Sequence, residues 1–186
     1  MPEDFKFNPS SMILRCMRWD LDKTAIVNFR CGDKKMEEFL VEEAWEAHCS
    51  RDGSTTVLID KEAPFNDNIM GFYTLIVPQV VKVEEQGTID ELSTVGIARI
   101  AVALRCQNQG VARYLIRDIL FLAEKINQRL VSTYAAFEYK QLYERLGFKS
   151  IIRNEVENPE PNEPKVLMLT HLADIILGPG KTYIDD

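Results

Sequence analysis

The sequence predicts one α/β (α+β) domain in which amphipathic helices alternate with β-rich strands. A length of 186 residues with 46% apolar composition is enough for one substantial core. Runs rich in β-branched and aromatic residues recur along the chain, and apolar residues at helical spacing lie between them. We found no internal repeat or low-complexity tract.

The composition excludes several classes of protein. A net charge of -7 and a pI near 5.0 argue against bulk attraction to phosphate backbones or anionic membranes. The four cysteines lie far apart without C-x-x-C pairing, so we expect no metal site and reduced, cytoplasmic thiols. The start MPEDFKFNPS has no apolar segment, and no apolar run reaches about 18 residues, so we expect neither secretion nor a membrane span.

The first elements are a strand and a helix. Residues 11–19 predict a strand that ends near Asp20. Residues 36–53 predict an amphipathic helix with Gly53 as its stop. Its helically spaced apolar positions are Met36, Phe39, Leu40, Ala44 and Ala47.

Three β-rich runs follow. Residues 54–60 and 69–78, separated by the turn-like KEAPFNDN, predict an antiparallel hairpin. Residues 95–104 are apolar on both faces around Arg99, so this strand is expected to lie centrally in its sheet.

The second half begins with a helix of about five turns, whose apolar positions are Val111, Leu115, Ile119, Leu122, Ile126 and Leu130. Residues 129–137 predict a strand, 140–148 start with a short helix closed at Gly147, and 165–170 predict the last strand. The acidic, proline-rich residues 155–164 predict an exposed loop.

The uncharged turn QNQGVA, residues 107–112, joins the strand at 95–104 to the long helix and lies between Arg105 and Arg113. Free backbone N–H groups at a helix N-terminus bind anions, and both arginines could reach a phosphate. Gly110 permits close approach or a positive φ, and Ala112 leaves the first turn open. Alternatively, Gly110 only makes the connection. The turn is neither a Walker loop nor a Rossmann fingerprint.

The charge around this turn differs from that of the rest of the chain. Residues 99–129 contain six basic and two acidic side chains, a local charge of +4, which leaves -11 for the remainder. Such a basic element suggests a bound polyphosphate, although a helix with surface salt bridges explains part of it.

Two motifs resemble the GNAT N-acetyltransferases. Residues 107–112 fit the [RQ]-x-x-G-x-[GA] acyl-CoA pyrophosphate loop of that superfamily, and LYERLGF, residues 142–148, is similar to its F-Y-x-x-x-G-F segment. NFRCGDKKMEEFL, followed by TTVLID and GFYTL, is similar to the branch that includes tRNA-acetylating toxins of bacterial toxin–antitoxin pairs. The resemblance covers about residues 26–170. Ala103 and Leu142 depart from the family pattern, which has an acidic residue and Phe there.

The resemblance implies a single N-acetyltransferase domain over residues 1–186, with a mixed, mostly antiparallel, twisted sheet of six to seven strands flanked by about four helices. It implies acetyl-CoA as cosubstrate and no metal. Backbone groups of Ile100 and Val102 would bind the pantetheine arm, the Ile100 N–H would stabilise the oxyanion, and Tyr143 would protonate the CoA thiolate. The pyrophosphate would lie on backbone N–H groups of Gln107, Asn108, Gln109, Gly110, Val111 and Ala112.

Other candidate catalysts have simpler explanations. Tyr143 itself could be a packing aromatic. His48 and His171 are expected at the surface or in packing roles, and Cys106 is expected to be a packed thiol. Glu138 could act as a base or only cap a helix, so the sequence identifies no general base.

The expected reaction is transfer of acetyl to a primary amine of a small molecule or peptide, by direct attack on the thioester. The acidic segments KEAPFNDN, VKVEEQGTIDEL and EVENPEPNEP are predicted as loops that attract cationic amines and disfavour tRNA. The alternatives are a toxin that acetylates aminoacyl-tRNA and a non-enzymatic GNAT-like module that binds CoA or a partner protein. A homodimer and an antitoxin are further candidate assemblies.

Overall fold

The computed structural model of the chain describes residues 7–85, 88–151 and 165–171. The strands in these ranges are β1 (Met12–Cys16), β2 (Ser54–Asp60), β3 (Ile69–Glu85), β4 (Thr88–Val102), β5 (Leu130–Ala136), β6 (Lys149–Ile151) and β7 (Lys165–His171). The α-helices are α1 (Trp19–Asn28), α2 (Lys34–Glu38), α3 (Ala44–Ser50), α4 (Val111–Lys125) and α5 (Lys140–Arg145). A π-helical turn, Phe39–Glu43, joins α2 to α3.

The described strands form one seven-stranded sheet of hydrogen-bonded order β1-β2-β3-β4-β5-β7-β6. The pairs β1/β2, β2/β3, β5/β7 and β6/β7 are antiparallel, and β4/β5 is parallel. If α2, the π-helical turn and α3 are counted as one helix, the described residues contain four helices. The predicted mixed, mostly antiparallel α/β fold is therefore confirmed, and so is the central position of the strand that contains Arg99.

Contacts group the chain into two compact units. The first consists of Met1–Ile76 and Ala98–Asp118. Its core is built from helix and strand residues of both stretches, with Leu40, Leu58 and Phe72 fully buried. The ring of Phe72 lies 5.5 Å from that of Phe29 and 6.3 Å from that of Phe39, centroid to centroid. The helical segment 34–50 is thus packed on the sheet through aromatic contacts.

The second unit consists of Val77–Ile97 and Ile119–Asp186. Val131 on β5 and Leu167 and Met168 on β7 are fully buried. A polar cluster also lies inside it: the hydroxyls of Thr94 and Ser132 are 2.6 Å apart, and Thr94 donates to the Gln79 carbonyl at 3.1 Å. These buried polar groups are mutually satisfied, as burial requires.

The N-terminal helices differ from the expectation. Trp19, expected at the end of a strand, begins α1, a helix that the sequence patterns did not predict. The buried carboxylate of Asp22 explains this helix start, because it accepts from the backbone N–H of Arg18 at 2.8 Å and pairs with Arg15 at 2.6 Å. The following helical segment ends at Arg51, in the left-handed region with φ 69°, and not at Gly53.

The acidic segment VKVEEQGTIDEL was predicted as a loop, and this prediction is wrong. β3 continues to Glu85 and β4 begins at Thr88. Successive side chains of a strand point to opposite faces of the sheet, and accordingly Val81 is buried and Lys82 is exposed. The Lys82 ammonium pairs with the Glu91 carboxylate at 3.4 Å. Glu91, whose side chain is described, is an exposed residue of β4. The predicted loop at 155–164 lies outside the described residues.

The long helix begins at Val111 as predicted but ends at Lys125, about one turn early. Asn127 adopts φ 57°, and the N–H of Gln128 donates to the Ala123 carbonyl at 2.8 Å, which closes the helix. Ile126, predicted on the apolar face, is 51% exposed. No helix in the described part of the chain is long and apolar enough to cross a membrane.

Gly71 on β3 makes a close approach that a side chain would prevent. A Cβ added there would lie 2.7 Å from the Ala101 carbonyl oxygen and 3.1 Å from Leu115 Cδ1. We expect Gly71→Ala to lower the free energy of unfolding by about 1–3 kcal/mol, because a backbone atom cannot yield as a side chain does. Urea denaturation measures this, with Ser54→Ala at the exposed start of β2 as control. A Gly71→Ala protein as stable as the control would contradict the prediction.

Candidate active site

The 107–112 loop has two residues in the left-handed region. Gly110 has φ 90°, the positive φ that was one of the two roles considered for this glycine, and Asn108 has φ 59°. Asparagine tolerates this region better than other side chains. Turns that contain left-handed residues can direct backbone N–H groups into an anion-binding concavity.

The loop also leaves its backbone donors free. Within the described residues, no acceptor is found for the N–H groups of Asn108, Gln109, Gly110, Val111 and Ala112. The first helical bond of α4 starts only at Tyr114, whose N–H donates to the Gly110 carbonyl at 3.0 Å. Five backbone donors at the positive end of the α4 dipole are therefore available to an anion.

The two flanking arginines differ in their freedom. Arg105 pairs with the Asp67 carboxylate at 3.2 Å and donates to the Asp67 and Ile69 carbonyl oxygens. Arg113 is exposed and makes no hydrogen bond or ion pair to the described residues. Of these two arginines, Arg113 has the guanidinium that is not bonded to described residues. We therefore expect Arg113, and not Arg105, to reach a bound phosphate.

The glutamine side chains of the loop point to protein carbonyls. Gln107 Nε2 donates to the Cys31 carbonyl at 2.8 Å and to the Val102 carbonyl at 3.2 Å. Gln109 Nε2 donates to the Arg105 carbonyl at 2.7 Å. Both side chains thus hold the loop in shape, a role that the motif did not reveal.

Ile100 and Val102, the predicted pantetheine contacts, lie on β4 and are half-buried. The register of β4 with β5 runs from Val95/Val131 to Ile97/Thr133. Ile100 and Val102 follow the last of these pairs, three and five positions further along β4. The Val102 carbonyl accepts from Gln107 Nε2, so the loop side chain is bonded to the end of β4.

The α4 helix is fixed to the sheet by a partly buried polar pair in the first unit. The Tyr73 hydroxyl on β3 donates to Asp118 Oδ2 on α4 at 2.5 Å, and Tyr73 is 1% exposed. Burial, with a smaller contribution from Asp118, raises the pKa of Tyr73. The tyrosine therefore stays a donor, and this bond fixes the helix that carries the loop at its N-terminus.

Tyr143 lies in the second unit, on α5. Its ring makes an edge contact with Phe148, with centroids 5.4 Å apart, and it is 8% exposed. Burial raises the pKa of Tyr143 to about 12, and a hydrogen bond with the Thr133 hydroxyl offsets part of that rise. The same hydroxyl donates to the Ile97 carbonyl at 3.0 Å, which connects Tyr143 to the last paired residue of β4. Tyr143 is therefore a protonated donor throughout the neutral range.

The remaining candidates occupy supporting positions. His48 Nδ1 accepts the N–H of Thr55 at 3.3 Å and stacks on Trp45. Cys106 is buried, and burial raises the pKa of its thiol, which makes it a poor nucleophile. Glu138 is exposed beside an open pocket of about 390 Å³ in the second unit. Among the described residues, no group of His, Cys, Asp and Glu could hold a metal ion.

Solved structures resemble the fold over most of the chain. A mutant of the toxin AtaT bound to the C-terminus of the antitoxin AtaR and acetyl-CoA is 16% identical, with a TM-score of 0.70 over 90% of this chain and 97% of that one. A mutant of KacT matches with 16% identity, a TM-score of 0.70, and coverages of 90% and 98%. AtaT complexed with acetyl-methionyl-tRNAfMet matches with 15% identity, a TM-score of 0.69, and coverages of 89% and 98%.

The family is established by the sequence match. Residues 51–150, more than half of the chain, match the model of the acetyltransferase (GNAT) domain. This range contains the central strand, the 107–112 loop, α4 and Tyr143. The chain therefore belongs to the GNAT acetyltransferase family.

Proposed function

We propose that this GNAT acetyltransferase uses acetyl-CoA and transfers the acetyl group to the amino group of an aminoacyl-tRNA. The observation that carries the acetyl-CoA part is the set of five backbone donors in the 107–112 loop for which the described part of the chain offers no acceptor. These donors offer a pyrophosphate the polar contacts it needs without a cationic side chain in the loop. The similar AtaT structures that hold acetyl-CoA support this cosubstrate.

Different residues bind the pyrophosphate, orient the pantetheine arm and donate the proton. The N–H groups of Asn108 to Ala112 and Arg113 hold the pyrophosphate, while the backbone of Ile100 and Val102 orients the pantetheine arm. Tyr143 provides the proton. The Tyr143 hydroxyl can fill this role because it is protonated throughout the neutral range and can donate to the sulfur as negative charge develops there.

The chemical step is a direct transfer. The neutral amine attacks the thioester carbon, and the carbonyl oxygen becomes an oxyanion that the Ile100 N–H stabilises. The carbon–sulfur bond then breaks, and the sulfur takes the electron pair and accepts the Tyr143 proton. The amine nitrogen loses its proton to solvent, and the Tyr143 phenolate takes a proton back from solvent. The products are an amide and free CoA.

The acceptor is proposed from the similar proteins and from the structure of the acidic segments. AtaT is complexed with acetyl-methionyl-tRNAfMet, and the present chain covers 98% of it. The expectation of a small cationic amine depended in part on an acidic loop at 81–92, and residues 81–85 and 88–92 belong to strands instead. The net charge of -7 still favours a small cationic or peptide amine as second candidate.

A protein partner belongs to the same proposal. AtaT is bound to the C-terminus of the antitoxin AtaR in a similar structure. We therefore propose that an antitoxin also binds this chain.

The acceptor is tested by a transfer assay. The purified protein receives labelled acetyl-CoA with separate samples of charged tRNAs, polyamines and lysine peptides. We expect label on the α-amino group of aminoacyl-tRNA and none on deacylated tRNA, which lacks an amino acid. Label on polyamines or peptides alone would reverse the order of the two candidates, and no transfer to any amine would refute the function.

A further inference from the structure

The connection between α1 and α2 is bonded to the 107–112 loop. The Cys31 carbonyl accepts from Gln107 Nε2 at 2.8 Å, although the two residues are 76 positions apart. The Arg30 carbonyl accepts from the N–H of Leu104 at 2.8 Å, so the chain just before the loop is held as well.

Glu37 on α2 holds the same connection from the other side. Its Oε1 accepts the N–H of Cys31 at 2.8 Å and the N–H of Gly32 at 2.9 Å. The Glu37 side chain is only 20% exposed, so these charge-assisted bonds are partly shielded from water. Cys31 is therefore held at its N–H by Glu37 and at its carbonyl by Gln107.

The two N–H donors of the Gln107 side chain are both used within the protein. A glutamine amide has two N–H donors on Nε2 and an acceptor, Oε1. Nε2 donates to two carbonyls, those of Cys31 and Val102, which uses both donors. The remaining Oε1 would repel a phosphate oxygen, so the side chain cannot serve as an anion ligand in this arrangement.

We propose that the Gln107 side chain is a positioning residue that couples the 107–112 loop to α2 through Cys31 and Glu37. This inference rests on the proposed function, since it concerns affinity for acetyl-CoA. The loop must keep Asn108 and Gly110 in the left-handed region before the cosubstrate arrives. A loop fixed in this way loses less conformational entropy on binding, and Glu37 affects the affinity without touching the cosubstrate.

A double-mutant cycle in the full-length protein tests the coupling. Gln107→Met and Glu37→Met keep side-chain length and remove the donors and the acceptor. We expect each to weaken acetyl-CoA binding by about tenfold, the usual effect of one net hydrogen bond, and the double variant to be no weaker than the worse single one. Glu38→Met on the same helix, which removes only an exposed pair with Lys34, should bind as the wild type does.

Kinetics and folding separate positioning from general damage. We expect KM for acetyl-CoA to rise in Gln107→Met with kcat nearly unchanged and a melting temperature close to that of the Glu38→Met control. Gln107→Arg, which retains N–H donors, should restore most of the affinity. Unchanged binding in Gln107→Met, or single effects that multiply to about a hundredfold in the double variant, would overturn the coupling.

Hydrogen exchange on the cofactor-free protein separates this inference from the proposed function. The amides of Cys31 and Gly32 should exchange faster in Gln107→Met than in wild type, because their segment loses its second anchor. A wild-type protein that binds no acetyl-CoA would refute the proposed function alone. The coupling of Gln107 to Cys31 would then be tested by the amide exchange rates alone. Equal rates for Cys31 and Gly32 in wild type and Gln107→Met would refute it.

Discussion

Gly110→Trp should abolish measurable acetyl-CoA binding. Gly110 has φ 90°, a conformation that side chains rarely adopt, and the indole would occupy the space in front of the free N–H groups. Titration calorimetry on the purified variant, with circular dichroism to confirm folding, gives the answer. Affinity equal to that of wild type would remove the 107–112 loop from the site.

The matched control for this experiment is Asn108→Gly. Asn108 also has a positive φ, 59°, and its side chain makes no hydrogen bond to the described residues. If the loop binds through its backbone, glycine preserves both the conformation and the donor, and affinity should change by less than about threefold. A large loss in Asn108→Gly would mean that side-chain contacts, and not backbone donors, dominate binding.

Tyr143→Phe should lower turnover by about 100-fold or more, within the usual range for loss of a general acid, with little change in acetyl-CoA affinity. The variant keeps the ring that contacts Phe148 and removes only the proton. Tyr134→Phe is the matched control: it removes a phenol from the same unit, and its side chain points to the face of β5 opposite Thr133. Equal turnover in wild type and Tyr143→Phe would leave Tyr143 as a packing residue.

The pH profile gives a second readout of Tyr143. Its pKa is raised from 10.0 to about 12, so the protonated form is present in the folded protein throughout the range from pH 7 to 10. No loss of kcat from this group is expected there. Because the folded pKa is the higher one, the stability associated with the neutral phenol is complete below pH 10 and is lost as the pH rises through about 12.

Much of the fold followed from local patterns. The apolar period after residue 110 predicted where α4 begins, and β-branched residues predicted β2 with its observed bounds. The segment 81–92, which contains four acidic and four apolar residues, is read from its composition as a loop. Its strands are stabilised by pairing between β-strands and by the Lys82–Glu91 ion pair, which single-residue composition does not reveal.

The sequence by itself determined the family motif and the position of the loop between strand and helix. These depend on residues near each other in the chain, whose backbone preferences and helix-end donors are local properties. The tertiary structure alone decided that Arg105 pairs with Asp67, that burial raises the pKa of Tyr143, and that Gln107 bonds to Cys31. Each of these depends on which distant groups the fold brings within hydrogen-bonding distance or shields from water, and no local pattern carries that information.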